Sequence, residues 1–195
     1  GYGVPYPEVA LPRSVPGIIY GLRHYANIPS ERIEWHGHND FCKAVVNAAT
    51  AWLYGASGGN CSILGIGERT GNCPLETMVM EYCSLRGGMA GMDLSVLTEI
   101  ADYFTNEIGM QIPPQSPFMG SDFCATRAGI HADGLLKDEQ IYNIFDTKTI
   151  LNRVPTVLVD AHSGLAGIAY WMNGHRRKGA TEFTKHDAAV ARVKA

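Results

Sequence analysis

The chain has no C-x-x-C pair, no apolar run long enough to cross a bilayer and no excess of basic charge. Each absence removes a class of function. Its five cysteines (Cys42, Cys61, Cys73, Cys83, Cys124) are odd in number and widely spaced. A zinc knuckle and a disulfide framework are therefore unsupported, and reduced thiols in a cytoplasmic setting are expected. Cys73 directly follows a glycine-rich turn and reads either as a reactive thiol or as a small, semi-buried residue. Nowhere do the ~20 consecutive apolar residues of a membrane span occur, and the start lacks a signal-peptide pattern. A net charge of -3 and a pI near 6.2 provide no basic field for nucleic acid or an anionic membrane. Internal repeats and low-complexity tracts are also missing. The first residue is Gly1, not Met, and Gly1-Tyr2-Gly3-Val4-Pro5 reads as a loop, so a piece of a longer protein is expected. What remains is 195 residues, 46% apolar, enough for one good core.

Periodicity supplies the element order. Ser14 can cap a helix whose apolar face is Val15, Ile18, Ile19, Leu22 and Tyr25. A strand follows over residues 32–38, and Asp40 can cap a helix carrying Phe41, Val45, Ala48 and Trp52 that ends at Gly55. A second strand spans 60–64, and a helix over 74–85 presents Leu75, Met78, Val79 and Tyr82. Alternation with short connections argues for parallel βα units, yet two such units neither close a barrel nor cover both faces of a sheet. The glycine cluster Gly87-Gly88-Met89-Ala90-Gly91 is the best boundary. Beyond it, Asp93 caps an amphipathic helix with Leu94, Leu97, Ala101, Phe104 and Ile108 on one stripe. Pro113-Pro114-Gln115-Ser116-Pro117 reads as an extended linker, and Ile130 to Gly134 as a loop followed by a short helix. A last apolar helix lies around 164–172, and the tail from Gly174 reads as polar and frayed.

Two segments carry chemistry. In a strand, His36 and His38 point the same way, Cα atoms roughly 6–7 Å apart, and can converge on one cation at a strand end. Read alone, the pair is open between a metal site and two exposed or hydrogen-bonded histidines. The second segment is Gly65-Ile66-Gly67-Glu68-Arg69-Thr70-Gly71-Asn72. Its glycines permit close backbone approaches, Glu68 and Arg69 can pair with each other or with neighbouring loops, and Asn72 can face a cation or cap the next helix.

In order along the chain, H-G-H-N-D, G-I-G-E-R-T-G-N-x-x-L-E, T-R-A-G-I-H-A-D-G-L-L-K and Y-N-I-F-D resemble the Claisen-condensing branch of the DRE-TIM metallolyases, the HMGL-like enzymes. That branch holds 2-isopropylmalate, homocitrate and Re-citrate synthases. The resemblance covers nearly the whole chain up to Asn173. The segments Asp40-Phe41-Cys42-Lys43, Ala51 to Gly55, Ile141 to Thr147 and Ser163 to Trp171 are most similar to the Re-citrate synthase group.

The resemblance implies an α/β fold: the last two βα units of a TIM (β/α)8 barrel over residues 1–88, a mainly helical linker over 89–173 and a polar tail over 174–195. It places the paired metal-binding histidines at His36 and His38, and an asparagine at or near the metal at Asn72. It also places an acid–base histidine at His131 and a catalytic tyrosine at Tyr142. It further implies a divalent metal (Mn²⁺ first, with Co²⁺, Mg²⁺ or Zn²⁺ as alternatives), acetyl-CoA as co-substrate with a 2-oxo acid, and a homodimer whose linker reaches the partner barrel. The implied reaction joins acetyl-CoA to oxaloacetate, with 2-oxoglutarate and 2-oxoisovalerate as rival acceptors. A non-catalytic, barrel-completing partner subunit is the rival from another class.

Departures accompany the likeness. The family's aspartate ligand, arginine and catalytic glutamate belong to barrel strands preceding Gly1, and Asp146-Thr147 stands where Asp-Pro is frequent. Two protein ligands are fewer than the three of an open catalytic metal site, so the chain alone is expected to be inactive. Arg176-Arg177-Lys178 reads either as a contact for CoA phosphates or as a solvated stretch.

Overall fold

Ile33 and Trp35 are buried while Glu34 and His36 are exposed, the period of two that a strand with one covered face requires. This strand, β1 (Glu34–His36), opens a parallel sheet in the order β1-β2-β3, with β2 spanning Gly58–Ser62 and β3 spanning Cys73–Pro74. The register sets His36 beside Asn60 and Cys61 beside Cys73. The first strand is shorter than the expected 32–38, and the second is shifted from 60–64 to Gly58–Ser62. Residues Ile63–Gly65 form a single 3-10 turn in which Leu64 has φ 56°, so the second strand stops two residues early.

The computed structural model describes residues 14–127 and 129–194, and the chain divides into two compact units, Gly1–Met92 and Asp93–Ala195. The loop expected at Gly1 to Pro5 lies outside the described residues. In the first unit, α1 (Ser14–His24), α2 (Ala44–Tyr54) and α3 (Leu75–Arg86) alternate with the strands. Small residues let α2 sit close to the sheet: Ala44, Ala48 and Ala51 repeat at helical spacing and are buried with Val15, Ile19, Ile33, Trp35 and Met78. Gly55 ends the helix with φ 110°, its N–H bonded to Ala51 and Trp52 carbonyls.

Two expected caps are corrected. Helix α2 begins at Ala44, whose N–H donates to Asn39 Oδ1 at 3.2 Å, so Asn39 does the capping expected of Asp40, and Phe41 lies outside the helix, 58% exposed. Helix α3 begins at Leu75, so Asn72 is not its cap.

The second unit holds α4 (Val96–Asn106), α5 (Gly129–Lys137), α6 (Thr147–Leu151), α7 (Leu165–His175) and α8 (Ala188–Lys194). It also holds a short parallel pair, β4 (Ala125–Thr126) with β5 (Thr156–Val157). Asp93 accepts from the Ser95 N–H and hydroxyl just ahead of α4, and Leu97 and Ala101 are buried as expected. Ile108 falls past the helix end and is 54% exposed.

The expected extended linker is a series of turns, with Ser116, Gly120 and Asp122 N–H groups bonded to Pro113, Ser116 and Pro114 carbonyls. The expected loop at 130–134 is part of α5 itself, because Ala132 and Leu135 are buried against Val157 and Tyr170.

Nor is the end of the chain frayed. Val190 on α8 is fully buried against Ile168 and Ala169, Asn173 holds Phe183 through two hydrogen bonds of 2.9 and 2.8 Å, and Lys194 Nζ donates to the Ser163 carbonyl. Val190→Asp places an unpaired carboxylate in this core and is expected to destabilise the protein by several kcal/mol, read as a lowered thermal midpoint. An unchanged midpoint would show that this packing contributes little. No helix among the described residues is long and apolar enough to cross a membrane.

Candidate active-site groups

Backbone hydrogen bonds draw the loop after β1 and the glycine-rich loop after β2 together. Asn39 N–H donates to the Gly71 carbonyl at 2.9 Å, Asn72 N–H to Gly65 at 2.8 Å and Gly71 N–H to Glu68 at 2.9 Å. Side chains then lock the two loops: Arg69 reaches Asp40 with Nε and Nη2, each at 3.1 Å, and the Thr70 hydroxyl adds a bond to the same carboxylate. Of the pairings open to Arg69, the neighbouring loop wins. Gly71, at φ 90°, lies where a β-carbon would strike the Gly65 carbonyl, so glycine is required there, and a β-carbon on Gly67 would push the Asn72 side chain aside. Replacing Asp40 and Arg69 by alanine, singly and together, is expected to show a coupling of about 1 kcal/mol for this partly exposed pair. Additive effects would remove the clasp.

On this frame the two histidines converge. Their ring centroids are 5.2 Å apart at an interplanar angle of 84°. Two imidazoles sharing one cation at the tetrahedral angle have centroids about 5.2 Å apart, for metal–nitrogen bonds of ~2.05 Å. His38 Nδ1 lies 3.3 Å from the Glu68 carbonyl, a contact that fixes the orientation of the ring. Asn72 Nδ2 donates to the Ile66 carbonyl, and its Oδ1 is the atom suited to a cation. The ring separation equals the one expected of two imidazoles on a shared cation. Among the described residues no group of three or more His, Cys, Asp or Glu is placed to hold one, so this ligand set is partial.

Beneath the loops lies a carboxylate that pattern reading missed, although it closes the G-I-G-E-R-T-G-N-x-x-L-E motif. Glu76 is 4% exposed and accepts from Leu64 N–H at 3.0 Å, supporting the left-handed turn that starts the glycine-rich loop. Burial raises its pKa, partly offset by backbone hydrogen bonds, including that from Leu64. A carboxyl raised in the folded state binds more protons there. Stability is therefore lost as pH rises from the ordinary carboxylate value of ~4.3 through the raised folded value. Glu76→Gln keeps an acceptor for Leu64 and is expected to gain stability relative to the parent across that window, measured by urea unfolding. A constant difference would show that the ionised form carries no cost. Burial also pushes the Cys73 thiol up to about 12, with Cys61 adding to the shift. This disposes of the reactive alternative for Cys73, which is 1% exposed.

In the second unit His131 and Tyr142 stack, ring centroids 4.3 Å apart at 25°. Tyr142 reaches this position because Asp138 caps the turn Glu139–Ile141 that precedes it, accepting from Gln140 N–H. Both rings line a cleft of about 250 Å³ with Gln115, Asp122, Thr126 and Arg127. The structure therefore brings His36 to His38 and His131 to Tyr142, one pair on each unit. It leaves Arg176 engaged locally, paired with Glu182 and bonded to the Ala180 carbonyl.

The sequence model of the HMGL-like family matches residues 7–104. The citrate (Re)-synthase of Clostridium kluyveri is 57% identical over 195 residues, 100% of this chain and 43% of the relative. That of Syntrophus aciditrophicus is 54% identical over 175 residues, 90% of this chain and 28% of the relative. The 2-phosphinomethylmalate synthase of Streptomyces hygroscopicus is 37% identical over 195 residues, 99% of this chain and 43% of the relative. The chain spans less than half the length of each. With the matched stretch covering half of its residues and the expected resemblance met across its length, the chain belongs to the HMGL-like family.

Proposed function

We propose that this chain is the part of a Re-citrate synthase-type acyltransferase that completes the barrel and carries the acid–base pair. The observation that carries the reading is 57% identity over the whole chain to a citrate (Re)-synthase. In this reading residues 1–88 supply the last two βα units of a TIM barrel, 89–173 the helical linker and 174–195 the tail.

His36 and His38, with Asn72, would hold a divalent cation, Mn²⁺ by preference over Co²⁺, Mg²⁺ or Zn²⁺. When bound, the cation supplies Lewis-acid polarisation of the 2-oxo acid carbonyl. The clasp of Asp40 with Arg69 and Thr70 keeps the histidine end of β1 and the Asn72 loop in one arrangement, so the donors need not reorganise when substrate arrives. His131 takes a methyl proton from acetyl-CoA; the C–H pair becomes the enolate C=C bond while the carbonyl π pair moves to the thioester oxygen, and the enolate carbon then attacks the ketone of oxaloacetate, whose π pair becomes an alkoxide that takes up a proton. Tyr142, stacked on that ring, donates a hydrogen bond to the thioester oxygen or positions the hydrolytic water. Hydrolysis of the thioester then releases CoA and citrate and drives the sequence forward.

The homodimer with a linker reaching the partner barrel is part of the proposal. Its support is an apolar knob beside the acid–base cleft, where Ile144 is 93% and Ile141 64% exposed, a poor surface for water but a good anchor. Ile144→Lys is expected to shift the complete enzyme toward monomer in sedimentation runs and to lower turnover with it. A variant that stays dimeric and fully active would discard this contact.

The reading is tested by expressing the complete reading frame and following CoA release from acetyl-CoA with oxaloacetate, 2-oxoglutarate and 2-oxoisovalerate, with and without added divalent metal. Preference for oxaloacetate and dependence on metal are expected. Turnover with 2-oxoisovalerate alone would defeat the citrate assignment, and metal binding without turnover would favour a barrel-completing subunit.

A further inference from the structure

Thr126 ends β4 and is 5% exposed, yet its hydroxyl is not spent on the backbone. Oγ1 lies 3.3 Å from His131 Nδ1. The residue is held from behind, since its carbonyl accepts from Leu158 N–H at 2.9 Å and its neighbour in the ladder is Val157. A β-branched side chain on a paired strand has little χ1 freedom, so the hydroxyl is a fixed point and not a searching one. His131 is thus constrained twice, in plane by the Tyr142 ring at 4.3 Å and in rotation by Thr126.

We infer that Thr126 is the positioning residue of His131: its hydroxyl accepts from Nδ1–H, which leaves the lone pair on Nε2, the nitrogen available to the cleft. The inference rests on the reading of His131 as the base in the proposed reaction. A hydroxyl donating to Nδ1 would put the imidazole proton on Nε2, and no base would remain there. With Nδ1 as donor, the same bond holds before and after Nε2 gains a proton, because Nδ1 carries hydrogen in both states. The ring can then serve as base and later as acid without turning.

The test uses the complete enzyme. Thr126→Val keeps the shape and removes the hydroxyl. The kcat for CoA release is expected to fall roughly 10- to 100-fold, the scale of losing a fixed reaction geometry, while KM for both substrates stays within about twofold. The isotope effect with trideuterated acetyl-CoA is expected to rise, because proton removal becomes slower relative to the other steps. Thr126→Ser is expected to retain most of kcat. Should the valine variant fail to fold, the Thr126→Ser and Thr126→Ala pair decides, as the two differ only in the hydroxyl.

Valine at parental kcat, serine no better than alanine, or an unchanged isotope effect would overturn the inference. A parent enzyme that turns over no 2-oxo acid, or a His131→Ala enzyme at parental rate, would instead remove the functional reading beneath it.

Discussion

His36→Ala is expected to lower CoA release by the complete enzyme by about a thousandfold, with metal content falling in parallel. The size follows from the several kcal/mol that a Lewis acid contributes to a polarised carbonyl. The direction follows from the geometry: the two rings at 5.2 Å form a pair, and one imidazole alone does not chelate. The fold should survive, because the side chain sits on the exposed face of β1 while Ile33 and Trp35 hold the strand. Metal content by elemental analysis separates the outcomes. Full metal with no activity would give His36 a role in substrate handling, and full metal with full activity would remove it from the site. Excess metal should restore part of the loss, since His38 keeps its contact with the Glu68 carbonyl.

The second large effect is expected at the other pair. His131→Ala should cost about 10² to 10⁴ in kcat, the range for a general base, and should leave metal content untouched because the proposed donors are His36, His38 and Asn72. Tyr142→Phe keeps the stack on His131 and removes only the hydroxyl, so a smaller loss is expected, about 10- to 100-fold for a single hydrogen-bond donor. Loss of metal in the His131 variant, or a larger effect from Tyr142→Phe than from His131→Ala, would reverse the assignment of roles. The two experiments together distinguish a site that binds from a site that moves protons.

Local signals served well where one side of an element meets one core. The strand through Ile33 to His36 was expected and is realised with alternating burial, and of the face expected for α2, Ala48 is buried with Val45 and Trp52 packed against the same core. His36 and His38 were expected on one strand, yet β1 ends at His36 and His38 stands in the loop after it, which the Asn39 N–H ties to Gly71 of the glycine-rich loop.

Where tertiary contacts choose between local options, the reading went astray. Asp40 has a cap-forming side chain but spends it on Arg69, 29 residues away, and Asn39 inherits the cap. Gly129 and Gly134 argue for a loop around His131, yet burial of Ala132 and Leu135 overrides helix propensity. Strands of two residues, such as β4 and β5, carry no period to detect, and so the hydroxyl of Thr126 was not placed near His131. Glu76 was the least legible of all, because a carboxylate with a buried partner looks like any surface glutamate until Leu64 turns its N–H inward.

The folded-back end of the chain has a practical corollary. Lys185 on this stretch holds Asp133 at 2.7 Å, and Asp133 stands two positions beyond His131 on the same helix. Trimming residues 185–194, or crowding them with a bulky fusion, would strip Ile168 and Ala169 of their cover and slacken the far end of the helix that carries the imidazole. Enzymologists who label the protein should leave residues 185–194 unmodified. A loss of rate caused by such a handle would otherwise be mistaken for a defect in the chemistry.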